Sequence, residues 1–194
     1  MTAETAHHWP VPPQDGYTVD DLLTLPDLPP HTELIDGSLV FVSPQRVFHS
    51  DAIDLLVSGL RCTVPPELKV KREMTVVTDR RNGPEPDVSV VRAEAVTSRE
   101  QTYFEVADVV LAVEVVSPES ESRDRKRKPH LYAEAGIPHF WRVEMAGHNE
   151  RPVIYVYELD PEKKVYKANG MYHDRLKLPA PYDIDIDLTA IDEL

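Results

Sequence analysis

Glu114 lies inside the most apolar run of the chain, Asp108-Val109-Val110-Leu111-Ala112-Val113-Glu114-Val115-Val116-Ser117-Pro118, which otherwise has the composition of a buried central strand. A carboxylate buried there without a cation or a hydrogen-bond donor is strongly unfavourable, so the position calls for a positive group beside it. Strand side chains alternate between faces, which sets Val110, Ala112, Glu114 and Val116 on one side and Val109, Leu111, Val113 and Val115 on the other. Small Ala112 is expected to leave room beside Glu114 for an ion or a substrate. A second acid, Asp87, follows the loop Gly83-Pro84-Glu85-Pro86 and precedes the β-branched run Val88-Ser89-Val90-Val91. It is expected at the mouth of a short strand. Two acids from neighbouring strands can share Mg²⁺, or Mn²⁺ in its place, because a hard cation takes oxygen ligands and keeps waters for chemistry. An Asp after Pro also suits a plain turn cap; Glu114 is what shifts the balance toward a metal pair.

These residues need a sheet to bring them together. Thr18-Val19-Asp20-Asp21 has the form of a capping box opening a helix over residues 19–25. Asp36-Gly37 between residues 32–35 and 38–42 is a hairpin signal. Residues 47–62 carry Ile53, Leu56, Val57 and Leu60 at helical spacing. Strands are expected over 68–72, 74–78, 88–91 and 109–116, with a polar connection before the last. A helix from Asp124 or Pro129 to Glu134 ends at Gly136 with Pro138 beyond, and residues 139–143 return as a strand. Strand, helix and strand in succession predict a parallel crossover. Residues 153–159, 164–167 and 182–186 are expected as added C-terminal strands.

The ordered blocks Glu33-Leu34-Ile35-Asp36-Gly37, Ser43-Pro44, Pro86-Asp87, Glu114-Val115-Val116, Ser117-Pro118, Asp124, Lys128, Tyr132 and Ala135-Gly136-Ile137-Pro138-His139-Phe140-Trp141-Arg142-Val143-Glu144 resemble the Uma-two restriction endonuclease family, within the PD-(D/E)XK nuclease superfamily. The resemblance spans roughly Tyr17 to Trp141. It implies a mixed α/β (α+β) fold of the restriction-endonuclease-like type, with a central mixed sheet flanked by helices. It further implies a metal-dependent endonuclease acting on DNA, with Asp87 and Glu114 as catalytic metal ligands joined by Glu33 and the Val115 carbonyl.

The superfamily pattern places a lysine two residues after the glutamate, on the same strand face, where its ammonium can stabilise the pentavalent phosphate. This chain has Val116 there. The basic run Arg123-Asp124-Arg125-Lys126-Arg127-Lys128 supplies replacements, and the family's lysine four residues before a tyrosine corresponds to Lys128 and Tyr132. Pro129 disfavours a helical Lys128, which keeps Lys126 as a reserve for substrate binding. Glu33 can face the site or solvent. His49 can touch substrate phosphate or simply open its helix. Tyr132 and Trp141 are expected in the core.

The net charge of −13 argues against a nucleic-acid partner, yet its distribution matters more than its total. Residues 61–130 hold 13 Lys/Arg and 13 Asp/Glu, so the whole excess lies outside the stretch carrying the acids. One cysteine, Cys62, excludes an internal disulfide and is expected in the core. Residues 1–10 show no basic stretch followed by an apolar run and no segment approaches a membrane span, so neither export nor membrane insertion is expected and a cytoplasmic setting is. Residues 1–16, with His7 and His8, are expected as a flexible lead to one domain over 17–194. The function expected is Mg²⁺-dependent DNA cleavage, by a homodimer if both strands are cut. Two alternatives stand beside it: a non-catalytic nuclease-fold scaffold binding nucleic acid or a protein partner, and a hydrolase of another phosphoester.

Overall fold

In the computed structural model, residues 11–194 are described; His7 and His8 lie outside them. The capping box is present, with Thr18 and Asp21 exchanging backbone and side-chain hydrogen bonds to open α1 (Val19–Thr24). Strands β1 (Glu33–Ile35) and β2 (Ser38–Val40) form the expected hairpin. Asp36 and Gly37 both take positive φ, 52° and 78°, as a two-residue turn of matching twist requires. Helix α2 (Val47–Thr63) buries Ala52, Ile53, Leu56, Val57 and Leu60 on one face. Cys62 is exposed rather than in the core, because it falls two residues past Leu60 and so on the opposite side of the helix.

The chain continues through β3 (Leu68–Arg72), β4 (Thr75–Val77), β5 (Val88–Arg92), β6 (Tyr103–Glu105), β7 (Val109–Val115), α3 (Lys128–Ala135) and β8 (His139–Ala146). Then come β9 (Arg151–Asp160), β10 (Val165–Tyr172), β11 (Arg175–Leu178) and β12 (Ile184–Asp187). The fold is mixed α+β, built on a six-stranded sheet in the order β10-β9-β8-β7-β5-β3. Strands β7 and β8, joined through α3, pair in parallel; the other pairs of this sheet are antiparallel. The connection before β7 holds β6, which pairs in parallel with β4. Strand β11, not anticipated from the sequence, pairs with β12.

One sheet face packs Leu111, Val113 and Val115 against α2 and the C-terminal strands, and the other packs Ala112 against Tyr132, Ile137 and Phe140. Val109 joins Ala112 rather than Leu111. The register explains this: Val90 pairs with Leu111 but Val91 pairs with Val109, leaving Val110 as an extra residue. Such a bulge resets the alternation of faces.

Candidate active site

Asp87 and Glu114 come from adjacent strands. Asp87 precedes β5, and its Oδ2 accepts the Val115 N–H at 2.6 Å, which ties the mouth of β5 to the end of β7. Glu114 is 1% exposed in β7, and both of its oxygens have donors. The Tyr132 hydroxyl donates to Oε1 at 2.5 Å and the Lys128 ammonium to Oε2 at 2.8 Å. The space expected beside Ala112 is therefore filled by Tyr132, whose ring is buried in the core as expected.

Lys128 sits among acids, 2.7 Å from Glu33, 2.8 Å from Glu114 and 3.5 Å from Asp124. Glu33 thus faces inward, and its Oε1 also accepts the Glu85 N–H at 2.8 Å. Burial works against the Lys128 ammonium, but the charges of Glu114, Glu33, Asp124 and Asp87 overcome it and hold the lysine protonated well above its ordinary range. Glu114 is pushed well above the usual 4.5 by burial, opposed by Lys128 and reinforced by Asp124, Asp87 and Glu33. One cation serves more acids than it can neutralise. Burial also raises the Tyr132 hydroxyl well above 10, helped by Glu114, so it remains a donor.

Lys128 is helical, at φ −61° and ψ −46°, despite Pro129 behind it. The segment Arg123–Arg127 forms a π turn, in which the Lys128 N–H reaches back to the Arg123 carbonyl. That wider turn makes room for the proline ring, which clashes with the preceding turn of a regular α-helix. It also puts Asp124 and Lys128 on the same side. Lys126, in contrast, is exposed and outside the cavity.

His49, in the first turn of α2, is buried behind Asp87. Its Nδ1 lies 3.1 Å from the Val115 carbonyl and its Nε2 3.2 Å from Asp87 Oδ1. A carbonyl and a carboxylate both accept, so the ring donates from both nitrogens. Burial opposes this imidazolium, but Asp87 and the Val115 carbonyl raise its pKa overall. His49 thus aims Asp87.

These groups floor a cavity of about 220 Å³ that is open to solvent and also lined by His31, Glu73, Glu85, Ser117, Ser120 and Arg123. Sequence reasoning missed His31 and Glu85, which meet at 2.6 Å. Burial raises the Glu85 carboxyl, with His31 opposing. Pro84 and Pro86 around Glu85 were the available signal. Val116 is half-buried and does not line the cavity.

Among the described residues, no group of three His, Cys, Asp or Glu side chains is arranged to hold a metal by protein ligands alone. Magnesium needs less, because one or two carboxylates suffice when waters complete its shell. The donors here are hard oxygens with lone pairs to spare. Asp124 Oδ1 is buried, and the Lys128 ammonium 3.5 Å away is shared with Glu33 and Glu114. Three buried acids sharing one ammonium in an open pocket fit a further cation.

The family model Uma2, described as "Putative restriction endonuclease", matches residues 19–188. The chain belongs to the Uma2 family. The crystal structure of a "putative nuclease belonging to DUF820" from Anabaena variabilis superposes on it with a TM-score of 0.66 at 20% identity, over 91% of this chain and 92% of that one. A likeness at that identity shows a shared fold. No curated protein matches the chain. Within the Uma2 match lie all the acids of the cavity floor, together with Lys128 and Tyr132.

Proposed function

We propose that this Uma2 protein is a divalent-cation-dependent endonuclease that hydrolyses DNA phosphodiester bonds. The observation that carries the proposal is the buried set of Glu33, Glu114 and Asp124 around the single ammonium of Lys128, with half-buried Asp87 lining the same open cavity. Asp87 and Glu114 are the metal ligands in this proposal, with the Val115 carbonyl and Glu33 beside them. A bound Mg²⁺ or Mn²⁺ supplies Lewis-acid activation of the attacking water and of the phosphoryl oxygen. The protein's own residues do the positioning. Tyr132 and Lys128 fix the Glu114 carboxylate, while His49 and the Val115 N–H fix Asp87. Lys128, held against Glu114, offsets the negative charge that develops on the reacting phosphate in this proposal.

The second reading, a non-catalytic scaffold, is favoured by two observations. Val116 stands in place of the usual lysine, and the Lys128 ammonium already faces three carboxylates. Purified protein incubated with linear and circular DNA and Mg²⁺ or Mn²⁺ separates the two readings. Cleavage that disappears in an Asp87→Asn/Glu114→Gln double variant supports the endonuclease. Intact DNA under both metals supports the scaffold. If duplex cuts appear in both strands at once, sedimentation should find a homodimer, since each chain offers one such site.

A further inference from the structure

The basic run before α3 is mostly committed to partners within the protein. Arg125 pairs with Glu121 and Glu144, Arg127 with Asp36, and Lys128 with the floor acids. Arg123 is different. It lines the cavity, yet among the described residues it forms no ion pair, and its Nε is buried with no hydrogen-bond partner. A buried donor is normally satisfied, so an unmatched one in a cleft points to a missing acceptor.

Its backbone is well held. The Arg123 N–H donates to the Ser120 carbonyl at 2.8 Å, and Ser117 and Ser120 brace that loop through reciprocal backbone-to-hydroxyl bonds of 3.0 and 3.2 Å. The Arg123 carbonyl accepts the Lys128 N–H, closing the π turn. In an α-helix, residues five apart point about 140° away from each other; the i→i+5 turn instead stacks them, so Arg123 and Lys128 enter the same cavity.

The charge of the cavity sharpens the case. Its floor is rich in carboxylates, which repel phosphate, and Lys128 is sequestered among them. A polyanionic strand therefore needs a cation that is not already paired with carboxylates, and a guanidinium offers a planar fork that matches two phosphate oxygens. We infer that Arg123 binds the non-bridging oxygens of the nucleic-acid phosphate presented to Asp87 and Glu114. The inference rests on the endonuclease reading for its substrate, and phosphate binding can be measured apart from cleavage.

The test compares wild type, Arg123→Gln, Arg123→Lys and, as a remote control of equal charge change, Lys163→Gln in the β9–β10 turn. Binding of a labelled DNA duplex is followed by fluorescence anisotropy over a salt series with Ca²⁺ in place of Mg²⁺, and cleavage is measured separately with Mg²⁺. Arg123→Gln should weaken binding about tenfold or more and reduce the salt slope of log K by about 0.9, the loss of one phosphate contact. KM should rise more than kcat falls, Arg123→Lys should recover part of the affinity, and the thermal midpoint should hold. Equal affinity and slope in Arg123→Gln and Lys163→Gln would overturn the assignment. If wild type binds DNA without cutting it but Arg123→Gln binds weakly, the endonuclease reading fails while the phosphate contact stands. If wild type does not bind the duplex, both fall.

Discussion

Lys128 and Glu114 are each costly to bury alone, and each keeps the other tolerable. Removing the ammonium strands several acids at once, so Lys128→Met should destabilise the protein by about 3–5 kcal/mol, as read by urea denaturation without divalent metal. Glu114→Gln is the milder change. A glutamine oxygen still accepts the Tyr132 hydroxyl, and Lys128 retains Glu33 and Asp124. Its fold should be as stable as wild type or more so, while metal binding is lost; marked destabilisation would mean that Glu114 serves mainly to anchor Lys128. The sign of the pH dependence follows from the raised Glu114 carboxyl. Its folded form holds a proton that the unfolded chain releases near 4.5, so its contribution is full below that pH and fades as pH rises through the folded value. In metal-free buffer, the stability of wild type relative to Glu114→Gln should therefore fall as pH increases above about 4.5. A difference that stays flat with pH would contradict the proton uptake.

The π turn does for the site what a regular helix start cannot. Pro129 has no N–H to give, and the wide turn both accommodates its ring and stacks Arg123, Asp124 and Lys128 toward one cavity. Pro129→Ala restores a donor and lets the turn relax to α-helical register. The expected result is slower cleavage with stability changed by less than about 1 kcal/mol, since proline is tolerated in a first helical turn. Unchanged cleavage would show that the turn is not needed. At the other end of α3, Gly136 takes φ 94° and donates to the Tyr132 and Ala133 carbonyls. A methyl group there meets nothing within 4 Å, so Gly136→Ala should cost only the left-handed backbone penalty, about 1–2 kcal/mol. A larger loss in thermal denaturation would reveal a packing role.

With a net charge of −13, the chain as a whole repels a polyanion. Under the proposed function, divalent cations have two effects, attracting the phosphate and relieving the crowded acids. Mg²⁺ at a hundredfold excess over its Kd should stabilise the fold by about 2.7 kcal/mol, or roughly 5–10 °C in thermal midpoint for a chain of this size. Asp87→Asn and Glu114→Gln should each abolish most of that shift. An equal shift in the variants would place the cation elsewhere on the acidic surface. Among the described residues, no helix is long and apolar enough to cross a membrane.

Local signals carried most of the elements. The capping box, the Asp36-Gly37 turn, the helical spacing of α2 and the glycine stop of α3 each depend on neighbours a few residues apart, and so could be recognised before folding was considered. Glu114 was legible for the same reason: an acid in a run of valines contradicts its surroundings. Asp87 was recognisable only beside it, and Lys128 through the family pattern. The inward turn of Glu33 was one of two readings, offered by the family pattern, whereas the His49 bridge between Asp87 and Val115 and the filling of the Ala112 side by Tyr132 were not legible. They join residues separated by 18 to 95 positions, and such pairings depend on sheet order and helix docking. The bulge at Val110 and the exposed Cys62 make the same point from the opposite side, because alternation and composition predict a face only while the strand register and the helix orientation hold. Chemistry-bearing residue types are a property of the chain, whereas their convergence around one ammonium is a property of its packing.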